Sequence, residues 1–83
     1  LDSELGPKVF KETSTGWILE NITIVNNSSR LFRRIDLVDG NLGSELIVTC
    51  IEDGTDPKIL LFDWTYISGT GSWWWWLTQT ISA

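Results

Sequence analysis

The 83 residues of this chain are enough for one domain, and six basic against eleven acidic residues give a net charge of −5. This acidic balance argues against binding to nucleic acids and to anionic membrane surfaces, because both require basic patches. The absence of histidine and the single cysteine exclude a histidine general base, an imidazole metal ligand and a disulfide within the chain, and no apolar run is long enough to span a membrane.

Turn-forming residues divide the chain into extended segments. Residues 1–7 show no hydrophobic period and are predicted to form an extended arm or linker, followed by a single β domain over residues 8–83. Six strands are predicted in that domain, at residues 8–11, 17–25, 30–38, 45–52, 58–67 and 73–82. Because no segment combines a 3.6-residue period with helix caps, the sequence predicts an all-β fold, an antiparallel β-sandwich or a small barrel-like fold.

Side-chain alternation assigns faces to these strands. In the strand at residues 30–38, the apolar face is expected to carry Leu31, Ile35 and Leu37, with Arg33 interrupting it. Cys50 lies inside the apolar run 46–51 and is expected to be a small buried hydrophobic residue.

Catalysis and metal binding have little support in the sequence. Asp36, Asp39 and Asp63 have the side-chain type that glycoside hydrolysis requires, but nothing in the sequence brings two of them to a cleft. The acidic loop at residues 52–56 lacks the twelve-residue calcium-binding pattern and is better explained as a solvated turn. We therefore expect a protein that is not an enzyme and that needs no cofactor or metal ion.

Three asparagines match the acceptor pattern for N-glycosylation. Asn21, Asn26 and Asn27 are each followed two residues later by Ser or Thr. Asn26 and Asn27 fall in a predicted exposed turn, where an attached glycan would fit if the chain is secreted in a glycosylating host.

The most distinctive feature is the run of four consecutive tryptophans at residues 73–76. In a strand, Trp73 and Trp75 would cover one face, and Trp74 and Trp76 the other. An antiparallel sheet with one wet face needs only one apolar face, so one pair is expected to meet something outside the monomer unless the strand is buried on both sides.

Four interpretations of these tryptophans compete. They could anchor an assembly of subunits, with Trp64 and Tyr66 packing on the neighbouring strand; they could stack on sugar rings, as in a lectin; they could anchor to a membrane interface; or they could simply form the core. Assembly is favoured, because a block of four indoles exceeds what sugar stacking needs and no Lys or Arg follows Lys58 to support membrane anchoring.

The backbone edge of the Trp-rich strand is a second reason to expect assembly. Residues 73–81 are uncharged, lack proline and are rich in β-forming residues, so an exposed edge here would be prone to aggregation. The strand is therefore expected either to lie inside a sheet or to pair with a second subunit. The arm at residues 1–7 is a candidate to supply that pairing by strand addition.

One part of the chain resembles a known group of proteins. Residues 16–29 contain a strand followed by Asn and small polar residues, and residues 33–40 contain the next strand. These two stretches are similar to a hairpin in small β-sandwich proteins of tailed phages. The resemblance implies a non-enzymatic virion component, such as a decoration, head–tail or tail-fibre subunit. It carries over no functional residue.

Taken together, these features predict a structural subunit that self-associates through its Trp-rich C-terminal strand, in a virion or another extracellular setting. The expected partners are copies of the same chain. One alternative is a carbohydrate-binding module that uses exposed tryptophans, and another is a subunit of an extracellular filament joined by strand exchange.

Overall fold

The structure is a computed structural model that describes residues 7–23, 30–40 and 43–83. These residues form two antiparallel sheets, one of two strands and one of four, and none of them is helical. The strands are β1 (Phe10–Thr13), β2 (Gly16–Leu19), β3 (Arg30–Gly40), β4 (Gly43–Glu52), β5 (Asp56–Ile67) and β6 (Ser72–Ser82). The prediction of an all-β antiparallel fold of about six strands is confirmed. Of the predicted arm, residues 1–6 lie outside the described residues, and Pro7 is buried.

The four-stranded sheet is a meander, in which β3, β4, β5 and β6 are neighbours in chain order. The residues of the turn between β4 and β5 favour the tight reversal that makes these two strands neighbours. Its two central residues have positive φ angles, 51° at Asp53 and 80° at Gly54, which Asp tolerates and Gly adopts freely. Pro57 precedes the predicted strand at residues 58–67, but in the structure it is the second residue of β5, near the strand's start, where a proline is accepted.

The core lies on one side of this sheet. Its buried side chains come from all four strands: Phe32, Leu46, Val48, Cys50, Leu60, Phe62 and Trp75. Val9 and Ile22 from the N-terminal part pack against this cluster. Cys50 is 2% exposed, as predicted, and burial raises the pKa of its thiol above the ordinary value.

The predicted apolar face of β3 is wrong at its first residue. The ladder between β3 and β4 shifts between Phe32 and Arg34, so Arg33 is an extra residue in a β-bulge. The extra residue reverses the alternation, and Phe32 therefore joins Ile35 on the core side. Leu31 points to the opposite side and is 43% exposed.

The predicted strand at residues 17–25 is also wrong as a single element. β2 ends at Leu19, and residues 21–23 leave the two-stranded sheet to run parallel to β6, with a bridge between Ile22 and Trp75. Thr23 N donates to Trp75 O over 2.9 Å, and Trp75 N donates to Asn21 O over 2.9 Å. The backbone of this segment therefore bonds to Val9 at Glu20 and to β6 from Asn21 onward. Residues 24 and 25 lie outside the described residues.

The first predicted strand, at residues 8–11, is displaced toward the C-terminus in β1. Pairing with β2 sets its limits, because Phe10 faces Leu19 and Thr13 faces Gly16. Thr13 Oγ1 donates to Gly16 O over 2.7 Å and closes the turn between the two strands. Trp17, Ile18 and Leu19 of this hairpin remain 51–66% exposed.

Candidate functional site

The tryptophan run is divided between the two sides of the four-stranded sheet. On the core side, Trp73 pairs with Tyr66 and Trp75 pairs with Trp64. Trp74 and Trp76 point to the other side, next to Thr65 and Asp63. The alternation predicted from the sequence is therefore present, and the six residues predicted at an interface are divided between the two sides of the sheet.

The first surface, which we call the aromatic platform, consists of Trp64, Tyr66 and Trp73. The rings of Trp64 and Trp73 are nearly parallel, with an interplanar angle of 17° and centroids 6.3 Å apart. The rings of Tyr66 and Trp73 meet edge to face, with centroids 5.7 Å apart and an interplanar angle of 65°. The three side chains are 36%, 51% and 51% exposed, so the platform continues the core out to solvent.

Trp75 joins the platform to the core. It is 4% exposed, and its ring lies 5.2 Å from that of Trp64. Its indole Nε1 donates to Glu20 Oε1 over 3.2 Å, which satisfies a polar group that burial would otherwise isolate. Trp75 therefore offers little surface to a partner.

A groove of about 540 Å³ lies beside the platform. One wall is formed by the β1–β2 hairpin with Val9 and Lys11, and the other by the sheet with Leu37, Trp64 and Trp75. Glu20 also lines the groove. Because Glu20 is held by the indole of Trp75, a carboxylate is positioned next to exposed aromatic rings.

The second surface, which we call the open face, is the side of the four-stranded sheet away from the core. The register places ten large apolar side chains on it: Leu31, Val38, Ile47, Ile51, Ile59, Leu61, Ile67, Trp74, Trp76 and Ile81. All of them are half-buried or exposed, whereas the buried hydrophobic residues of the described sheet lie on the core side. The open face is therefore apolar without being enclosed.

Charged residues on the open face are few. Arg34 forms an ion pair with Asp36 at 2.8 Å, which keeps both charges near one edge of the sheet. Glu45 lies opposite Asp63 on neighbouring strands. Apolar side chains occupy most of the remaining area.

The outer edge of β6 is partly covered by the same chain. Residues 21–23 follow it from Trp73 to Leu77, and the side chain of Thr23 contributes two hydrogen bonds of its own. Thr23 Oγ1 donates to Trp75 O over 2.7 Å and accepts from Leu77 N over 2.9 Å. Sequence reasoning missed this contact, because its partners lie more than fifty positions apart and no local pattern connects them.

Of the predicted glycosylation residues, Asn21 is exposed, and its Nδ2 donates to Trp73 O over 3.1 Å. Asn26 and Asn27 lie outside the described residues. Glycan attachment at these positions stays a prediction.

The acidic residues considered for catalysis do not converge. Asp36 contacts Arg34, Asp39 accepts from Ser44 Oγ over 3.3 Å, and Asp63 lies two strands away from both. Within residues 7–23, 30–40 and 43–83, no group of three or more metal-ligating side chains could hold a metal ion.

No family model, no curated protein and no solved structure matches this chain. In the part of the chain that the structure describes, no helix is long and apolar enough to cross a membrane.

Proposed function

We propose that this chain is a non-enzymatic structural subunit that associates with copies of itself through the open face, with Trp74 and Trp76 as anchors. The observation that carries the proposal is the ten-residue apolar surface, which no described element encloses. Sheets bury such faces by packing against a second sheet about 10 Å away. The virion or extracellular setting stays a prediction from the sequence.

The size of the open face fits a second copy. Four strands of about ten residues span roughly 19 by 33 Å, given an interstrand spacing of about 4.8 Å and a rise of about 3.3 Å per residue. Two such faces in contact would cover on the order of 1,200 Å², which is at the lower end of the range for stable specific interfaces. Protruding side chains make both faces uneven, so the accessible area buried would be larger than that of two flat surfaces.

The composition of the open face supports the same partner. Interface cores are depleted in charge and enriched in aromatic residues, and tryptophan is the most frequent type among the residues that dominate binding energy. Trp76 is 40% exposed in the single chain, so a partner would bury a large part of its indole. The paired charges of Arg34 and Asp36 lie on β3, at the edge of the sheet, where an interface rim is expected.

Mass in solution across a dilution series tests the proposal. We expect the chain to be a dimer or larger at micromolar concentration and to dissociate on dilution. Leu61→Lys places a charge in the centre of the open face and should leave a folded monomer, because an unpaired charge in an apolar interface is strongly unfavourable. Trp76→Ala should raise the dissociation constant by about 30-fold or more, as for loss of a buried interface tryptophan.

The matched control is Ser14→Lys, which adds the same charge at an exposed position in the β1–β2 turn. This variant should associate like the unmodified chain. A chain that stays monomeric at every concentration would refute the proposal, and so would a folded Leu61→Lys variant that associates normally.

A further inference from the structure

The groove and the aromatic platform lie on the opposite side of the sheet from the open face, and self-association does not account for them. We propose that they form a binding site for a neutral oligosaccharide, with Trp64 as the residue shared by the groove and the platform. This inference goes beyond the proposed function and does not depend on it.

The platform offers exposed aromatic surface of the kind that packs on sugar rings. The faces of pyranose rings carry C–H groups, which pack on the electron-rich face of an aromatic ring. Trp64 and Trp73 are nearly parallel and partly exposed, so each offers indole surface against which a sugar ring can pack.

The groove supplies the polar part of the site. Its volume of about 540 Å³ lies in the range of small-molecule pockets and would hold about two sugar units. Lys11 can donate hydrogen bonds to hydroxyl groups, and the carboxylate of Glu20 can accept them. Trp75 already holds one oxygen of that carboxylate at 3.2 Å, which lowers the entropic cost of fixing it on a ligand.

The negative charge of the chain limits which oligosaccharides can bind. The chain carries a net charge of −5. Of the charged residues at the groove, Lys11 and Glu20 lie on its hairpin side, whereas the register turns the side chains of Glu45 and Asp63 toward the open face. The field of the net charge disfavours sulfated or uronic-acid polysaccharides, which would be repelled. A neutral glycan avoids this repulsion and still uses both the hydroxyl-binding groups and the rings.

The test is titration of the full chain with neutral hexasaccharides of glucose, xylose and N-acetylglucosamine, followed by tryptophan fluorescence and calorimetry. We expect saturable binding of at least one of them. Trp73→Ala and Glu20→Gln should each weaken binding about tenfold or more, equivalent to about 1.4 kcal/mol. Trp64→Ala should do the same if it folds; Trp73→Ala is the primary variant because its ring is more exposed and its loss disturbs the core less.

Two tryptophans outside the site provide matched controls. Trp17→Ala removes an indole that is 66% exposed on β2, and Trp76→Ala removes one from the open face. Both should leave sugar affinity unchanged, even where Trp76→Ala weakens self-association. The inference is refuted if none of the sugars binds up to about 10 mM, if choline binds in the groove and the sugars do not, or if Trp73→Ala and Glu20→Gln bind as well as the unmodified chain.

Discussion

At the scale of single residues, the tryptophan run shows how far alternation can be used for prediction. The sequence predicted that Trp73 and Trp75 would share a face, because side chains alternate along any strand. It did not predict that Trp75 would be buried while Trp73 remained 51% exposed. That difference depends on distant groups, since Glu20 and the packed Ile22 cover Trp75.

Thr23 is the residue for which the structure predicts the clearest effect on stability. Thr23→Val keeps the shape of the side chain but removes the hydroxyl that accepts from Leu77 N and donates to Trp75 O. Trp75 O keeps its bond to Thr23 N, whereas Leu77 N loses its acceptor at a partly buried site. We expect a loss of about 1–2 kcal/mol in the free energy of unfolding, measured by urea denaturation.

Thr80→Val is the control for that measurement, because Thr80 is an exposed threonine on the same strand as Leu77. It should change the free energy of unfolding by about 0.5 kcal/mol or less. Equal effects of the two substitutions would mean that the hydroxyl of Thr23 does not hold residues 21–23 against β6.

At the scale of the elements, the central strands could be predicted and their irregularities could not. β4 and β5 agree with the sequence prediction to within two residues at each end, because turn residues and long apolar alternations define them locally. The bulge at Arg33 depends on the register with β4, which no local pattern encodes. The single error of one residue was enough to move Leu31 to the wrong face.

Because Arg33 is the extra residue of the bulge, we expect β3 to tolerate its deletion. Removal of Arg33 would leave a regular ladder with Phe32 and Ile35 still on the core side, since Arg33 is the extra residue. We expect this variant to fold cooperatively, with a change of about 1 kcal/mol or less in the free energy of unfolding. Chemical denaturation followed by tryptophan fluorescence would measure it.

Deletion of Asp36 is the comparison, because it shortens the same strand by the same length. To keep both ends of β3 in register, the chain would have to turn Ile35 away from the core and Arg34 toward it. This exchange should cost about 2 kcal/mol or more, beyond the small contribution of the exposed pair between Arg34 and Asp36. If the two deletions are equally damaging, Arg33 is not a dispensable insertion in the ladder.

At the scale of the whole molecule, the described part of the chain has a core on one side of its main sheet and an apolar surface on the other. Composition gave the first indication, because ten aromatic residues in 83 are more than a small core encloses. The division into an open face and an aromatic platform could not be predicted, since it requires the pairing of β5 with β6 and the return of residues 21–23 to that edge. Two surfaces of different geometry favour two different partners.

Oxidative footprinting of individual indoles, read by fragment mass spectrometry, would test this division in one experiment. We expect the reactivity of Trp76 to fall several-fold as the chain passes from dilute to associated conditions, because a second copy covers the open face. Trp73, on the platform, and Trp17, on β2, should keep their reactivity at both concentrations. In Leu61→Lys, Trp76 should stay reactive throughout. Protection of Trp73 to the same extent as Trp76 would mean that association uses the platform, and the open face would then need a different explanation.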